Sequence, residues 1–441
     1  METLQVVSSK KSGVPMKNDP SLEKLCVIGL GYVGLPTAAI FANRGLNVLG
    51  VDINSQTVDA INTGKISIVE PDLDILVNGA IAAGQFRAAT APGPADAFII
   101  AVPTPFTIGQ KPDLSYLDTA ADFLAPMLAS DNVVIVESTV PVGTTERFSE
   151  RLAEKRPDLD FPSSGGGKAD ISIAHSPERV LPGQVLLELT RNDRVVGGIT
   201  PRCAERAAQL YQKVVKGRCF LTTARTAELV KLAENAYRDV SIAFANELAN
   251  VSDILGINPW GVIELANHHP RVNILNPGPG VGGHCVAVDP WFIVSSAPDD
   301  TPLIQAARRV NDDRPARIAK TILETATNLT SPEIACLGLS YKADTDDLRE
   351  SASIEVVKCL AEASLNITVV EPYINVLPSE LAEFDNIRLG SLELVLGSAD
   401  IIVLLTDHRA FREIDITVFQ KTVIDTRGIW NFENRDLRRH Q

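Results

Sequence analysis

Residues 25–52 read LCVIGLGYVGLPTAAIFANRGLNVLGVD: an apolar run opens into Gly29, Gly31 and Gly34, continues as an alanine-rich helical stretch, and returns as a second apolar run closed by Asp52. This is strand, turn, helix, strand. The first glycine permits the tight turn, the second admits a pyrophosphate onto the helix N-terminus, and the third lets helix and strand pack closely. Three glycines at that spacing are weak evidence alone. Asp52 strengthens them, because an acidic residue at the end of the second strand holds a ribose diol and repels the 2′-phosphate of NADP. The stretch therefore predicts a dinucleotide site that prefers NAD.

Alternating strands and helices continue. Residues 97–102 run into PTPF, 132–137 into STVPVG and 171–175 into SPERVLPG. In an open parallel sheet such loops line the crevice at the carboxyl edge, which places Thr104, Thr139, Thr145 and Glu178 near cofactor or substrate. Each threonine reads equally well as a turn or cap residue. From Glu333 the layout of the first half returns, as IACLGLS, SIEVVKCLAEAS, NITVVEP, DIIVLLTDH and TVIDTRG. The second copy lacks the glycine fingerprint and carries YKADTDDLRES in its first loop, with Tyr341, Lys342 and Arg349. Between the copies, residues 223–255 hold neither proline nor glycine and predict a helix of roughly 45 Å that bridges domains. On it Lys231, Asn235 and Arg238 share one face, opposite an apolar face of Leu229, Leu232, Ala236, Val240 and Ala243. That polar stripe is either a solvated surface or a cradle for an oxyanion and a diphosphate.

The expected fold class is thus α/β, two Rossmann-like doubly wound parallel-sheet domains joined by a helical domain with a long central helix. The expected division is a mobile tail at 1–20, an NAD-binding domain at 21–205, a central helical domain at 206–320 and a second Rossmann-like domain at 321–441. Two nucleotide-type folds predict one cleft, with a ligand from each side and a substrate that is itself a nucleotide conjugate.

The chain has 441 residues, 45% of them hydrophobic, enough for two or three cored domains. A net charge of −14 argues against a nucleic-acid surface, so an anionic substrate must meet a local cationic pocket. The first twenty residues lack an apolar leader core, and no run approaches a membrane span. Six scattered cysteines suit a reducing cytoplasm better than a disulfide framework. One of them, Cys285, stands in NPGPGVGGHCVAVD, beside His284 and four residues before Asp289. It reads either as a packing residue or as a nucleophile in a loop whose glycines let a large ligand come close and whose histidine assists thiolate formation. His268, His269, His284 and Cys285 come without a CxxC pair or an HExxH helix, so no metal site is expected.

Taken together, VIGLGYVGLP, VPTP, ESTVPVG, SPERVLPG, AELVKLAENAYRD, GVGGHCVAVDP and YKADTDDLRES, in this order, resemble the UDP-glucose/GDP-mannose dehydrogenase family over nearly the whole chain. GGHC followed by VDP is similar to the branch acting on UDP-N-acetylhexosamines; the UDP-glucose branch has a serine before the cysteine and a lysine before the aspartate. The resemblance implies two NAD-dependent oxidations at C6 of a UDP-sugar, with NAD held by Gly29, Gly31, Tyr32, Val33, Gly34 and Asp52 and reached by Arg349. It implies Lys231 as acid/base or oxyanion stabiliser, Cys285 as the nucleophile that forms a thiohemiacetal and then a thioester, and Glu178 as base for hydrolysis. Asp289, Asn235 and a water ordered by Thr139 would position the reacting groups. Around the sugar and diphosphate it implies Arg179, Val180, Lys231, Asn235, Arg238, His269, Arg271 and Gly282, and on the uridine side Tyr341, Lys342 and Arg427. The HHPR segment, with His269 and Arg271, would come from the neighbouring subunit of a homodimer. A nucleotide-sensing or scaffold protein of the same fold is the remote alternative, and the joint presence of Cys285, Lys231, Asn235 and Asp289 speaks against it.

Overall fold

Strand residues in the computed structural model divide between two apolar clusters by strict alternation. Cys26, Ile28, Phe98, Ile100, Val134 and Val136 face one way, and Leu25, Val27, Ala97, Ile99, Val133 and Ile135 the other. A sheet buried on both faces explains why its strands read as continuous apolar runs. The structure describes residues 5–7, 21–68, 70–107, 111–163, 169–181, 183–283, 285–327, 329–419 and 421–430. It divides into two compact units, Met1–Ala233 with Trp291–Ser296, and Glu234–Pro290 with Ala297–Gln441.

In chain order the strands of the first unit are β1 (Gln5–Val7), β2 (Lys24–Ile28), β3 (Asn47–Val51), β4 (Phe86–Ala89), β5 (Ala97–Ile100), β6 (Phe106–Thr107), β7 (Lys111–Pro112), β8 (Val133–Val136), β9 (Ser172–His175), β10 (Arg194–Gly198) and β11 (Cys219–Thr223). The second unit has β12 (Glu333–Leu337), β13 (Asn366–Val370), β14 (Ile387–Leu389), β15 (Ile401–Leu404) and β16 (Thr422–Asp425). The large sheet runs β1-β11-β10-β9-β8-β5-β2-β3-β4, and the smaller one β14-β13-β12-β15-β16. In each, the first strand of the repeat lies between strands reached by crossovers in opposite directions, and the turn leaving it opens at the switch point where such sheets bind ligands. The smaller sheet is parallel throughout, and its two faces are closed by separate clusters, one including Ile334, Cys336 and Val369, the other Ala335, Leu337 and Trp430.

Two doubly wound sheets are what the sequence predicts, with three differences. The first sheet is not purely parallel, because β10 runs antiparallel to β9. Nor are all of residues 1–20 a tail: Gln5–Val7 adds an edge strand antiparallel to β11, where a β-prone QVV segment meets unpaired backbone groups. Finally, the expected boundary at 205/206 falls inside the helix Pro201–Tyr211, and the sheet continues to Thr223.

The predicted long helix is present as Ala224–Leu255, 32 residues, and the division between units falls within it. Its faces differ from the expectation. Leu229 is 44% exposed and Asn235 only 8% exposed, because the centre of the buried stripe is polar: Glu228, Asn235, Asp239 and Asn246. Leu232, Ala236 and Ala243 flank that centre and are buried, whereas Leu229 lies at the stripe's far edge. Among the described residues no helix is long and apolar enough to cross a membrane.

Candidate active site

In the first unit the glycine turn has the geometry a dinucleotide requires. Gly29 sits at φ +94°, a conformation L side chains rarely adopt, and its N–H donates to Val51 O at 2.8 Å. A Cβ on Gly34 would fall on the carbonyl oxygen of Gly29, whereas one on Gly31 would meet nothing within 4 Å. The third glycine therefore serves packing, and the second leaves open space at the start of helix Gly34–Ala42, where free N–H groups favour a phosphate. Asp52 is half-buried and fixed by the Leu30 N–H at 3.1 Å and the Asn54 N–H at 2.9 Å. These residues fit NAD: a cradle without side chains for the pyrophosphate, and an oriented carboxylate for the ribose. Val33 caps the helix, and the exposed Tyr32 donates its hydroxyl to Glu70. Glu70 also takes the N–H groups of Gly183 at 2.5 Å and Val185 at 3.3 Å, tying Tyr32 to the SPERVLPG loop.

The three threonines separate. Thr104 donates to the carbonyl of Thr139 at 2.7 Å, bridging two crevice loops, and Thr139 is half-buried. Thr145 is fully buried, and its hydroxyl and N–H donate to Glu228 at 2.6 and 2.7 Å. With the Gly143 N–H at 2.6 Å, this makes Glu228 the acceptor for the open N-terminus of helix Thr144–Lys155. Thr145 thus serves a helix end that lacks a side-chain cap of its own and takes a carboxylate from elsewhere.

Glu178 lies in the loop after β9 with one oxygen on the Arg179 N–H at 2.6 Å and the other on Arg194 at 2.5 Å. Burial raises its carboxyl above the usual range, and Glu137 pushes the same way against Arg194 and Lys231. Lys231 is half-buried on the long helix, close enough to Glu178 to act on its charge. Arg179 and Val180 are half-buried and line a small crevice with Glu178 and Arg194.

In the second unit, Asn235 donates to Asp289 at 2.5 Å. Asp289 starts the helix Asp289–Ser296, and its N–H closes a turn onto the Cys285 carbonyl at 2.8 Å. Cys285 is half-buried, within electrostatic reach of Tyr341 and the Arg349 guanidinium. A thiol before a helix start and near a guanidinium has the surroundings of a reactive cysteine. Cys26, Cys219, Cys336 and Cys359 differ: burial pushes Cys26 and Cys336 up to about 12, raises Cys219 despite the nearby Arg194, and raises Cys359 with Glu362 and Glu355 nearby. His284 lies outside the described residues.

The glycines around Cys285 are spent on protein rather than held open for a ligand. A Cβ on Gly282 would come within 2.5 Å of Tyr341 Cβ, and one on Gly283 within 2.9 Å of its ring. Gly283 also donates its N–H to Arg349 O at 3.0 Å. Gly278 lies under the Arg427 guanidinium, which is itself held by Asp407 at 2.9 Å. The structure thus brings Gly282, Tyr341, Arg349 and Cys285 together. Arg349 is paired with Asp347 at 2.6 Å. Lys342, Arg238, His269 and Arg271 are exposed.

Sequence reasoning passed over Glu70, Glu137, Arg194, Tyr211 and Glu228. Glu137 was visible as the last residue of an apolar strand, where a charge is out of place unless paired. Nothing in the local pattern marks the others.

Comparison with known proteins covers nearly all of the chain. The NAD binding domain of the UDP-glucose/GDP-mannose dehydrogenase family matches residues 23–215, its central domain 225–313 and its UDP binding domain 335–432. A Ralstonia nicotianae protein named NDP-N-acetyl-D-galactosaminuronic acid dehydrogenase is 54% identical over 415 residues, 94% of this chain and 97% of its own. A Campylobacter jejuni protein named UDP-N-acetyl-D-mannosamine dehydrogenase is 54% identical over 393 residues, 89% of this chain and 97% of its own. The solved UDP-N-acetyl-D-mannosamine dehydrogenase of Pyrococcus horikoshii superposes with a TM-score of 0.81 at 40% identity, covering 92% of this chain and 96% of that one.

Proposed function

The chain belongs to the UDP-glucose/GDP-mannose dehydrogenase family, NAD-dependent nucleotide-sugar dehydrogenases, and from that premise we propose that it oxidises C6 of UDP-N-acetyl-D-mannosamine to the carboxylate, giving UDP-N-acetyl-D-mannosaminuronate. The observation that carries the four-electron reading is the setting of Cys285, the one cysteine placed between a helix start and a guanidinium rather than in apolar packing. A dehydrogenase stopping at the aldehyde has no use for it. The sugar is supported by the names of the Campylobacter and Pyrococcus relatives. The Ralstonia relative, equally identical over a longer stretch, favours a second reading, UDP-N-acetylgalactosamine.

Two NAD, bound in turn, would each accept one hydride, the first in the oxidation to the aldehyde and the second in the oxidation of the thiohemiacetal to the thioester. Lys231 offsets negative charge as the C6 hydroxyl loses its proton. The Cys285 thiolate adds to the resulting aldehyde, forming a C–S bond that holds the carbon in place for the second oxidation. Asp289 locks the Asn235 amide so that its second N–H keeps one orientation in which it can donate to the oxyanion. Water then attacks the thioester, Glu178 takes its proton, the C–S bond breaks, and Cys285 leaves as thiolate.

Purified protein offered UDP-N-acetylmannosamine, UDP-N-acetylgalactosamine, UDP-N-acetylglucosamine and UDP-glucose separately tests this. Two NADH per UDP-N-acetylmannosamine, and no sustained turnover in Cys285→Ala, is the expected result. Two NADH from another sugar moves the specificity, one NADH removes the thioester, and none from any sugar leaves the scaffold reading. The same proposal makes the enzyme a cytoplasmic homodimer that supplies a surface-polysaccharide precursor, with exposed His269 and Arg271 offered to the neighbouring subunit. Activity that stays constant while the dimer dissociates on dilution would refute that last role.

A further inference from the structure

Strand β10 delivers Arg194 to a point where two acidic side chains end. Its guanidinium donates to Glu137 at 2.8 Å and to Glu178 at 2.5 Å, and all three side chains are nine-tenths buried or more. Tyr211 donates its hydroxyl to the same Glu137 oxygen at 2.7 Å, and its ring centre lies 4.1 Å from the guanidinium carbon. Thr37 donates to the other Glu137 oxygen at 3.5 Å. Lys231 also acts on the charge of Glu178, and Arg179, Glu188 and Asp193 line the same small crevice. Two carboxylates therefore share one guanidinium in the core. Packing alone does not call for this, since apolar side chains of similar volume are often as stabilising as a buried ionic triad, or more so.

We propose that Glu137 and Arg194 are positioning residues that tune Glu178 as the base of thioester hydrolysis, Arg194 aiming its carboxylate and Glu137 drawing off part of Arg194's charge. This rests on the thioester reading above. In the step concerned, water oxygen bonds to the acyl carbon, one water proton passes to Glu178, and the C–S electrons leave with Cys285, so nothing is oxidised or reduced. An arginine paired with Glu178 alone would hold it as a weak base. Sharing that arginine with Glu137 leaves Glu178 more basic, and burial acts in the same direction. Tyr211 opposes Glu137 by taking up part of its charge through the hydrogen bond.

The test uses the full-length enzyme with NAD and whichever sugar nucleotide yields two NADH. Single turnovers are quenched across the neutral and acid range, and the adduct on Cys285 is followed by intact mass. Glu137→Gln should move the acid limb of adduct decay down by about one pH unit and slow decay at neutral pH, with adduct formation unchanged. Tyr211→Phe should move the limb up. Limbs that stay put, or that move in the same direction in both variants, overturn the proposal, and if Glu137→Gln does not fold the sign of the Tyr211→Phe shift decides. Glu178→Gln tests the reading beneath it: a persistent adduct identifies the base, decay at the wild-type rate removes Glu178 from that role, and no adduct even in wild type removes the thioester.

Discussion

The two sheets begin with the same turn and complete it differently. Gly29, at φ +94°, and Gly338, at φ +96°, each donate their N–H at 2.8 Å to the end of the neighbouring strand, at Val51 and Val370. The next N–H, of Leu30 or Leu339, goes to a strand-end carboxylate, Asp52 at 3.1 Å or Glu371 at 2.7 Å. There the likeness stops. Asp52 is half-buried, and the helix follows the glycine turn at once. Glu371 is buried, takes the Ser340 N–H at 3.1 Å, and lies 3.1 Å from His408 Nε2. His408 Nδ1 in turn accepts the Asp344 N–H at 2.9 Å and pins the loop that carries Tyr341 and Arg349. A carboxylate at one topological position stays half-buried in the first copy and is fully buried and structural in the second, and the histidine that closes over it makes the difference.

The largest test of this contrast is Gly34→Val, which puts a side chain on the Gly29 carbonyl. It should cost about 4 kcal/mol and remove the thermal stabilisation that NAD confers. Glu371→Ala should cost about 3 kcal/mol in urea unfolding, by stranding the Leu339 and Ser340 amides and His408, and leave NAD affinity intact. A parallel loss of NAD binding would break the contrast. Asp52→Ser should do the converse, leaving the unfolding midpoint nearly unmoved while the preference for NAD over NADP falls about 30-fold in kcat/KM. The smallest effect is in acid. Burial alone would lift the Glu371 carboxyl, but His408 and the Leu339 and Ser340 amides hold it below the ordinary range. A depressed folded value gives stability that is present above the unfolded carboxylate value, about 4.3, and is lost as pH falls through the folded one. Glu371→Gln should therefore flatten the acid limb of unfolding midpoint against pH.

The glycine fingerprint, Asp52 and the central strands were legible because each obeys a local rule: a turn that needs glycine, or a strand buried on both faces. The long helix was legible to within a residue of its start, since uninterrupted helix formers need no tertiary information. That its buried face has a polar centre was not, although the expected apolar residues Leu232, Ala236 and Ala243 are buried. A polar buried stripe defeats the assumption that burial follows hydrophobicity, and Leu229 was misplaced for that reason. Strand β10 was hidden by Gly197 and Gly198, which look like a turn but are glycines because a Cβ there would strike the Thr223 and Thr200 carbonyls. Arg194 went unseen with it. The motifs name candidate site residues one by one, but which of them bond to other protein groups, as Thr145, Arg349 and Arg427 do, depends on strand order and side-chain reach.

Glu228, Asn235, Asp239 and Asn246 follow one another at intervals of seven, four and seven residues on the long helix. Each has its own partner: Glu228 the Thr145 and Gly143 amides, Asn235 Asp289, Asp239 Arg308 at 2.6 Å, and Asn246 Asn311 at 2.9 Å. A greasy seam forgives an insertion, because one hydrocarbon replaces another. A row of keyed polar teeth does not. One residue added between Glu228 and Asn246 turns everything beyond it by about 100° and strands several hydrogen-bonding groups in the interior at once. The helix is therefore a ruler whose marks cannot be respaced, so its length is constrained more tightly than its composition.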